Sequence, residues 1–108
     1  MPQGGGGADT DFIAETGLDA DATTTTSSVI VGDNSLIAIF ITANTGTHAT
    51  HVVTLQISPD GSNWFDTSHT ITGVGQLHNI TCVAIEARAK VTTNEGATST
   101  IDIDIITK

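Results

Sequence analysis

The residues best suited to chemistry in this chain are its histidines, which are His48, His51, His69 and His78. His48 and His51 are the closest pair and are three positions apart. In an extended segment, residues i and i+3 point to opposite faces. We therefore expect these two imidazoles to point apart, which is unfavourable for joint metal binding, and the sequence predicts no metal site; a position near a loop is the arrangement that would still allow one.

The acidic residues offer two further candidates. Residues 60–63 (DGSN) carry oxygen ligands but lack the bidentate glutamate of known calcium loops, so we interpret them as a turn. Asp102 and Asp104 project from one face of a strand and could act as paired carboxylates. No G-x-S-x-G nucleophile motif is present, and the glycine tract 4–7 lacks the lysine of a phosphate-binding loop. The sequence predicts that the protein is not an enzyme, with no catalytic residue and no cofactor.

The charge balance restricts the partners. Twelve Asp and Glu residues against three Lys and Arg residues give a net charge of −9 and a pI near 4.3. Nucleic acids and anionic membranes are bound through cations, so neither is an expected partner. The single cysteine, Cys82, excludes an intrachain disulfide and is interpreted as a structural thiol. No cationic-then-apolar leader opens the chain, which is therefore expected to be made in the cytoplasm.

Composition and spacing predict an all-β fold. Threonine is abundant, and short alternating segments are separated by turn residues every 8–12 positions, a spacing typical of a sandwich or barrel. We predict an antiparallel β-sandwich or jelly-roll-like barrel of about seven or eight strands over residues 23–108. The expected strands are residues 24–31, 36–43, 50–58, 64–67, 68–72, 77–81, 83–93 and 98–107.

Residues 1–22 differ from the rest, because a Gly-rich tract precedes an acidic stretch with little apolar surface to offset its ordering entropy. One interpretation is a disordered tail. The other is a flexible N-terminal arm that becomes ordered only on a partner, with Phe12, Ile13 and Leu18 as its contacts.

Alternation along the strands predicts which side chains are buried. The expected core includes Ile39, Leu55, Ile57, Ile85 and Ile103. Residues 83–91 have an expected inward set that starts at Val83.

The last two strands are expected to form a hairpin around residues 94–97. Placing inward residues opposite inward residues sets Lys90 opposite Asp102 and Arg88 opposite Asp104. The two carboxylates are then explained by ion pairs.

Residues 36–43 are apolar on both faces, whereas a two-layer sandwich normally leaves one face of each sheet in water. The surplus face, which includes Leu36 and Phe40, predicts burial under the N-terminal arm or in a homo-oligomer.

Residues 54–66 (TLQISPDGSNWFD) predict a hairpin. An alternating strand enters a turn at residues 59–63, where proline presets φ and glycine accepts a positive φ. Trp64 and Phe65 follow at once. We expect Trp64 in the core or at a subunit contact rather than as a platform for stacking a sugar.

This strand followed by S-x-DGS-N-W (residues 58–64) resembles a hairpin of β-sandwich modules in the virion proteins of tailed phages, including head-decoration (cement) and tail-associated proteins. The resemblance covers the hairpin and the all-β character of residues 50–108. It implies a structural virion protein that binds the outside of an icosahedral capsid and stabilises it. Its partner would be the major capsid protein, and it would form a homo-oligomer, with a trimer at the threefold positions as the best fit.

The resemblance also implies synthesis in the host cytoplasm and a final location on the capsid surface. The alternative function is a carbohydrate- or receptor-binding β-sandwich module of a phage tail or fibre.

Overall fold

The structure is a computed structural model that describes residues 11–34 and 36–108. Within these residues, eight strands form two four-stranded antiparallel sheets. The strands are β1 (Asp11–Asp19), β2 (Val29–Ile30), β3 (Ile37–Gly46), β4 (Val52–Ser58), β5 (Phe65–Thr72), β6 (Gly75–Ile80), β7 (Glu86–Thr93) and β8 (Ser99–Thr107). The first sheet has the order β1-β8-β3-β6 and the second has the order β2-β7-β4-β5.

The chain passes between the two sheets at every connection except the β4–β5 hairpin. Eight antiparallel strands in these two orders form a double-sheet jelly roll. The predicted all-β sandwich is therefore confirmed. The two-residue β2 is much shorter than the strand expected over residues 24–31, while residues 64–67 and 68–72 belong to one strand, β5.

The core lies between the two inward faces. The first sheet contributes Ile101, Ile103 and Ile105 from β8, each with 0% exposure, and the second contributes the smaller Ala87 and Ala89 from β7. These side chains belong to one hydrophobic cluster. Close packing of such side chains is the main stabilising term of a sandwich.

The core predictions are confirmed for Ile39, Leu55 and Ile103, which are at most 1% exposed. Ile57 is only partly buried. The prediction is wrong for Ile85, which is 48% exposed, and for Val83, which is 99% exposed. The inward alternation of β7 begins at Ala87 because the strand itself begins at Glu86, so residues 81–85 form a loop rather than a continuation of the strand.

The predicted hairpin of the last two strands is also wrong. β7 lies in the second sheet and β8 in the first. Arg88 is opposite Gln56 and Lys90 is opposite Thr54, while Asp104 is opposite Phe40. The inward residues of β7 and β8 share the core from two sheets instead of lying side by side in one. Alternation specifies the face of each residue but not which sheet its strand joins.

The flexible arm predicted over residues 1–22 is wrong for its second half, because Asp11–Asp19 is an edge strand of the first sheet. Ile13 is opposite Ile105 and Leu18 is opposite Ile101, and both side chains pack against the core. An irregularity between Glu15 and Leu18 changes the parity of the strand, which hides its alternation in the sequence. Residues 1–10 lie outside the described residues.

Candidate functional site

The residues predicted to contact partners do not form one surface. Ile13 and Leu18 pack against the core of their own chain, so the structure does not present them as contacts for a partner. Phe12 is 53% exposed and Leu36 is 41% exposed, both at the first sheet. Phe40 is half-buried on the same sheet.

The outer face of the first sheet carries an apolar row. Backbone register sets Phe12 opposite Ile106 in β8, and Ile106 opposite Ala38 in β3. Directly opposed side chains share a face, so these three lie side by side on the outside. Leu36, just before β3, extends the row. An apolar groove of about 90 Å³ is lined by Leu36, Ile37, Ala38, Asn79, Ile106 and Lys108.

An acidic row lies beside the apolar one. Asp104 is opposite Ala14 on one side and Phe40 on the other, and Asp102 is opposite Thr42. The Asp102 carboxylate also accepts a hydrogen bond from the backbone N–H of Gly17 at 2.9 Å. Because β7 is in the other sheet, Arg88 and Lys90 do not neutralise this face.

Trp64 lies on the second sheet, where it is half-buried. The guanidinium carbon of Arg88 is 4.1 Å from its ring centroid, a cation–π geometry. The Nε of Arg88 donates to Oε1 of Gln56 at 2.8 Å, and Nε2 of Gln56 donates to Oδ1 of Asp66 at 2.7 Å. One face of the tryptophan ring is thus covered by its own chain.

The β4–β5 turn uses its oxygens locally. The Asp60 carboxylate accepts backbone hydrogen bonds from Asn63 and Ser62, both at 2.8 Å, and a side-chain bond from Asn63. These bonds, the Asn63 backbone bond foremost, lower the pKa of Asp60 to about 2. Gly61 has φ of 80°, which glycine accepts without strain. The arrangement is that of a self-capped turn.

A buried polar cluster joins the loop before β4 to the turn between β7 and β8. The Glu95 carboxylate accepts hydrogen bonds from the backbone N–H groups of Ala49, Thr50 and His51, and from the Thr50 hydroxyl. It also lies 2.9 Å from Nδ1 of His51, whose side chain is fully buried.

Two opposing effects act on the Glu95 carboxyl. Burial raises its pKa, but the hydrogen bonds from His51 and Thr50 outweigh burial and lower the pKa to about 2. An ionised carboxylate only accepts hydrogen bonds, so Nδ1 of His51 carries the proton in this contact.

The expectation that His48 and His51 point apart is wrong. Their ring centroids are 5.8 Å apart and the rings are nearly perpendicular, at 83°. The reason is that residues 48–51 precede β4, which begins at Val52, so the period of an extended strand does not apply to them.

Within residues 11–34 and 36–108, the structure places no group of three or more His, Cys, Asp or Glu side chains that could hold a metal ion. In the same part of the chain, no helix is long and apolar enough to cross a membrane. Cys82 is partly buried, and burial raises the pKa of its thiol.

The sequence reasoning missed two features of this molecule. The Glu95–His51 contact joins residues 44 positions apart, and no local sequence pattern predicts it. The exposed Val83 and Ile85 were assigned to the core, although Asn79 has a positive φ of 61° at the end of β6. Asparagine tolerates that conformation better than most residues, so Asn79 near the end of β6 is a turn signal in the sequence.

No family model matches the chain, and no curated protein matches it in sequence. Among solved structures, it is similar to the SPBc2 prophage-derived protein YomS, with a TM-score of 0.63 at 9% identity over 92% of this chain and 94% of that one. It is also similar to FLHE, with a TM-score of 0.55 at 15% identity over the same shares of the two chains. At these identities, the similarity concerns the fold.

Proposed function

We propose that this protein is a structural virion protein that binds the outside of an icosahedral phage capsid and stabilises it. The observation that carries the proposal is the similarity of fold to a prophage-derived protein over nearly the full length of both chains. The hairpin of residues 58–64, which resembles hairpins of phage virion proteins, points in the same direction. Fold alone does not specify function, so the surfaces must add support.

The surfaces support binding to a larger assembly. An apolar row runs along the outer face of the first sheet, where Phe12 and Leu36 are exposed and Ile106 and Ala38 are half-buried. Contiguous exposed apolar surface is typical of protein–protein contacts. The high negative charge suits a protein that contacts other proteins rather than packaged nucleic acid. The proposed partner is the major capsid protein, and the proposed location is the capsid surface.

The outer face of the first sheet also supports a homo-oligomer, with a trimer as our proposed state. The inward residues of β3 are buried within the monomer, but Ala38 and Phe40 are only half-buried. A stable interface buries roughly 1,000 Å² or more in total. Sedimentation at micromolar concentration tests this part, and a stable monomer would contradict it.

The carbohydrate-binding alternative has less support. A sugar ring stacks on an exposed aromatic face, and the guanidinium of Arg88 already covers one face of Trp64 at 4.1 Å. Phe65 is 58% exposed but lacks a polar group to orient a sugar.

Particles purified from cells that carry the gene provide the test. We expect mass spectrometry to find the chain in filled heads, and electron cryo-microscopy to show its sandwich on the outer shell at stoichiometric occupancy. Removal of the gene should leave heads that release their DNA at lower temperature, and purified protein should restore them. Absence from the particles, or presence in tails alone, would contradict the proposal.

A further inference from the structure

The exposed apolar side chains are concentrated at one end of the sandwich. At this end, β1, β3, β5 and β7 begin, and β4, β6 and β8 finish. Of the seven large apolar side chains exposed in the described residues, six lie there. We call this set the apolar pole: Phe12, Ile30, Leu36, Phe65, Val83 and Ile85.

The pole draws on both sheets. Phe12 and Leu36 belong to the first sheet, while Ile30 and Phe65 belong to the second. The loop 81–85 connects the two sheets, and Val83 is 99% exposed on it. Ile85 is held there by backbone bonds, because its N–H donates to Ser58 and its carbonyl accepts from Val31.

The apolar pole lies at one tip of the long axis of the molecule. The sandwich measures 46 × 23 × 19 Å. A ten-residue strand such as β3 is roughly 33 Å long, so the long axis follows the strands and the pole occupies the small cross-section. The seventh exposed residue, Val74, is in the β5–β6 turn at the opposite end. Six of the seven exposed large apolar side chains of the described residues therefore lie at one end.

The charged residues around the pole indicate which charge its partner should carry. Among the described residues at this end, four carboxylates surround the apolar side chains: Asp11, Asp33, Asp60 and Glu86. The ammonium of Lys108 is the cation there. One step further along the strands, Asp66 and Arg88 carry opposite charges and leave this acidic excess unchanged.

The acidic excess disfavours a second copy of this chain docked pole to pole, because like charges would meet across the contact. It favours a partner whose apolar residues are flanked by lysine or arginine.

We propose that the apolar pole is the docking surface for a protein segment with apolar side chains flanked by cations. This inference rests on the proposed function, because attachment to a larger particle requires one surface that contacts the shell. On the outer face of the first sheet, the half-buried Ala38 and Phe40 are not part of the pole and remain free for the homo-oligomer. The protein would then stand on the shell with its 46 Å axis directed outward.

Two synthetic peptides test the chemistry of the pole. One alternates leucine and lysine over 14 residues, and the other replaces every lysine by glutamate. We expect the Leu/Lys peptide to bind in fluorescence anisotropy, the Leu/Glu peptide not to bind, and binding to weaken with salt. Equal binding of the two peptides would overturn the charge part of the inference.

Variants of exposed residues test the location. Val83→Ser combined with Ile85→Ser should weaken binding of the Leu/Lys peptide about tenfold or more, as should Phe65→Ser from the second sheet. Val74→Ser is the matched control, because Val74 at the far end is 46% exposed, close to the 48% of Ile85, and this variant should bind as the wild type does. If Val74→Ser loses as much affinity for the Leu/Lys peptide as the pole variants do, the peptide does not bind at the pole and the inference is wrong. If the wild-type chain self-associates and the Val83→Asp variant does not, a second copy is the occupant of the pole and the inference fails.

The same variants in particle binding separate the two proposals. If the wild type attaches to stripped heads and the pole variants attach equally well, the pole is not the contact, while the proposed function stands. If the wild type does not attach at all, the proposed function fails. The peptide measurements alone then show whether the pole is a docking surface.

Discussion

The Glu95 carboxylate and Nδ1 of buried His51 are 2.9 Å apart, and their contact joins the two sheets of the jelly roll at one end. Glu95 precedes β8 of the first sheet, and His51 precedes β4 of the second. The same carboxylate accepts the backbone N–H groups of residues 49–51. A buried acceptor with this many donors stabilises the loop and the turn as one unit.

This contact predicts a pH dependence of stability. The folded pKa of Glu95 is lowered from its usual 4.5 to about 2. A lowered folded pKa means that the contribution is fully present above about pH 4.5 and is lost as the pH falls toward 2. Urea unfolding of the wild type and of Glu95→Gln should give a stability difference that is largest at neutral pH and shrinks across this window. A control is Ile103→Ala, which removes no titratable group and should show a loss that does not follow the same window.

The core predicts unequal costs for two isoleucines. Ile103 is 0% exposed, so Ile103→Ala should lower the free energy of unfolding by about 2–5 kcal/mol through the cavity it leaves. Ile57 is only partly buried, so Ile57→Ala should cost clearly less. Urea unfolding measures both, and an equal or larger cost at Ile57 would contradict the assignment of inward faces.

The cation–π contact predicts a spectroscopic change. Arg88→Ala should lower stability by about 0.5–2 kcal/mol and shift the emission of Trp64, the one tryptophan of the chain. Lys90→Ala, two residues further along the same outer face, is the matched control and should leave the emission unchanged. An unchanged spectrum in both variants would mean that the guanidinium does not cover the ring in solution.

Because β1 is an edge strand, we predict that a truncation that removes it destabilises the protein, whereas a shorter truncation that leaves it whole does not. Deleting residues 1–21 removes β1 and turns β8 into an edge with unpaired backbone groups, which promotes aggregation. We expect a lower melting temperature and a concentration-dependent loss of monomer in light scattering. Deletion of residues 1–10 is the comparison, because it leaves β1 whole. If the two truncated proteins have the same melting temperature, β1 contributes nothing to the stability of the fold.

Much of the fold could be predicted because local rules were sufficient for it. The turn at residues 59–63 encodes its own geometry through Asp60 and Gly61, so the β4–β5 hairpin followed from the sequence. Alternation likewise placed Ile39, Leu55 and Ile103 in the core. The ends of elements were less predictable. The alternating pattern of β7 continues back to Val83 in the sequence, because residues 83–85 do not interrupt it.

The sequence by itself determined the fold class, the hairpin, the inward face of most strands and the acidic balance, since each depends on residues close together in the chain. Tertiary structure decided which strands became neighbours. Ile101 and Ala89 would face inward either in one hairpin or in two opposed sheets, and only the packing of the whole core distinguishes these arrangements. It also decided the apolar pole and the Glu95–His51 contact, because both bring together side chains from distant parts of the chain. Such contacts depend on the route of the chain between sheets, which local periodicity does not encode.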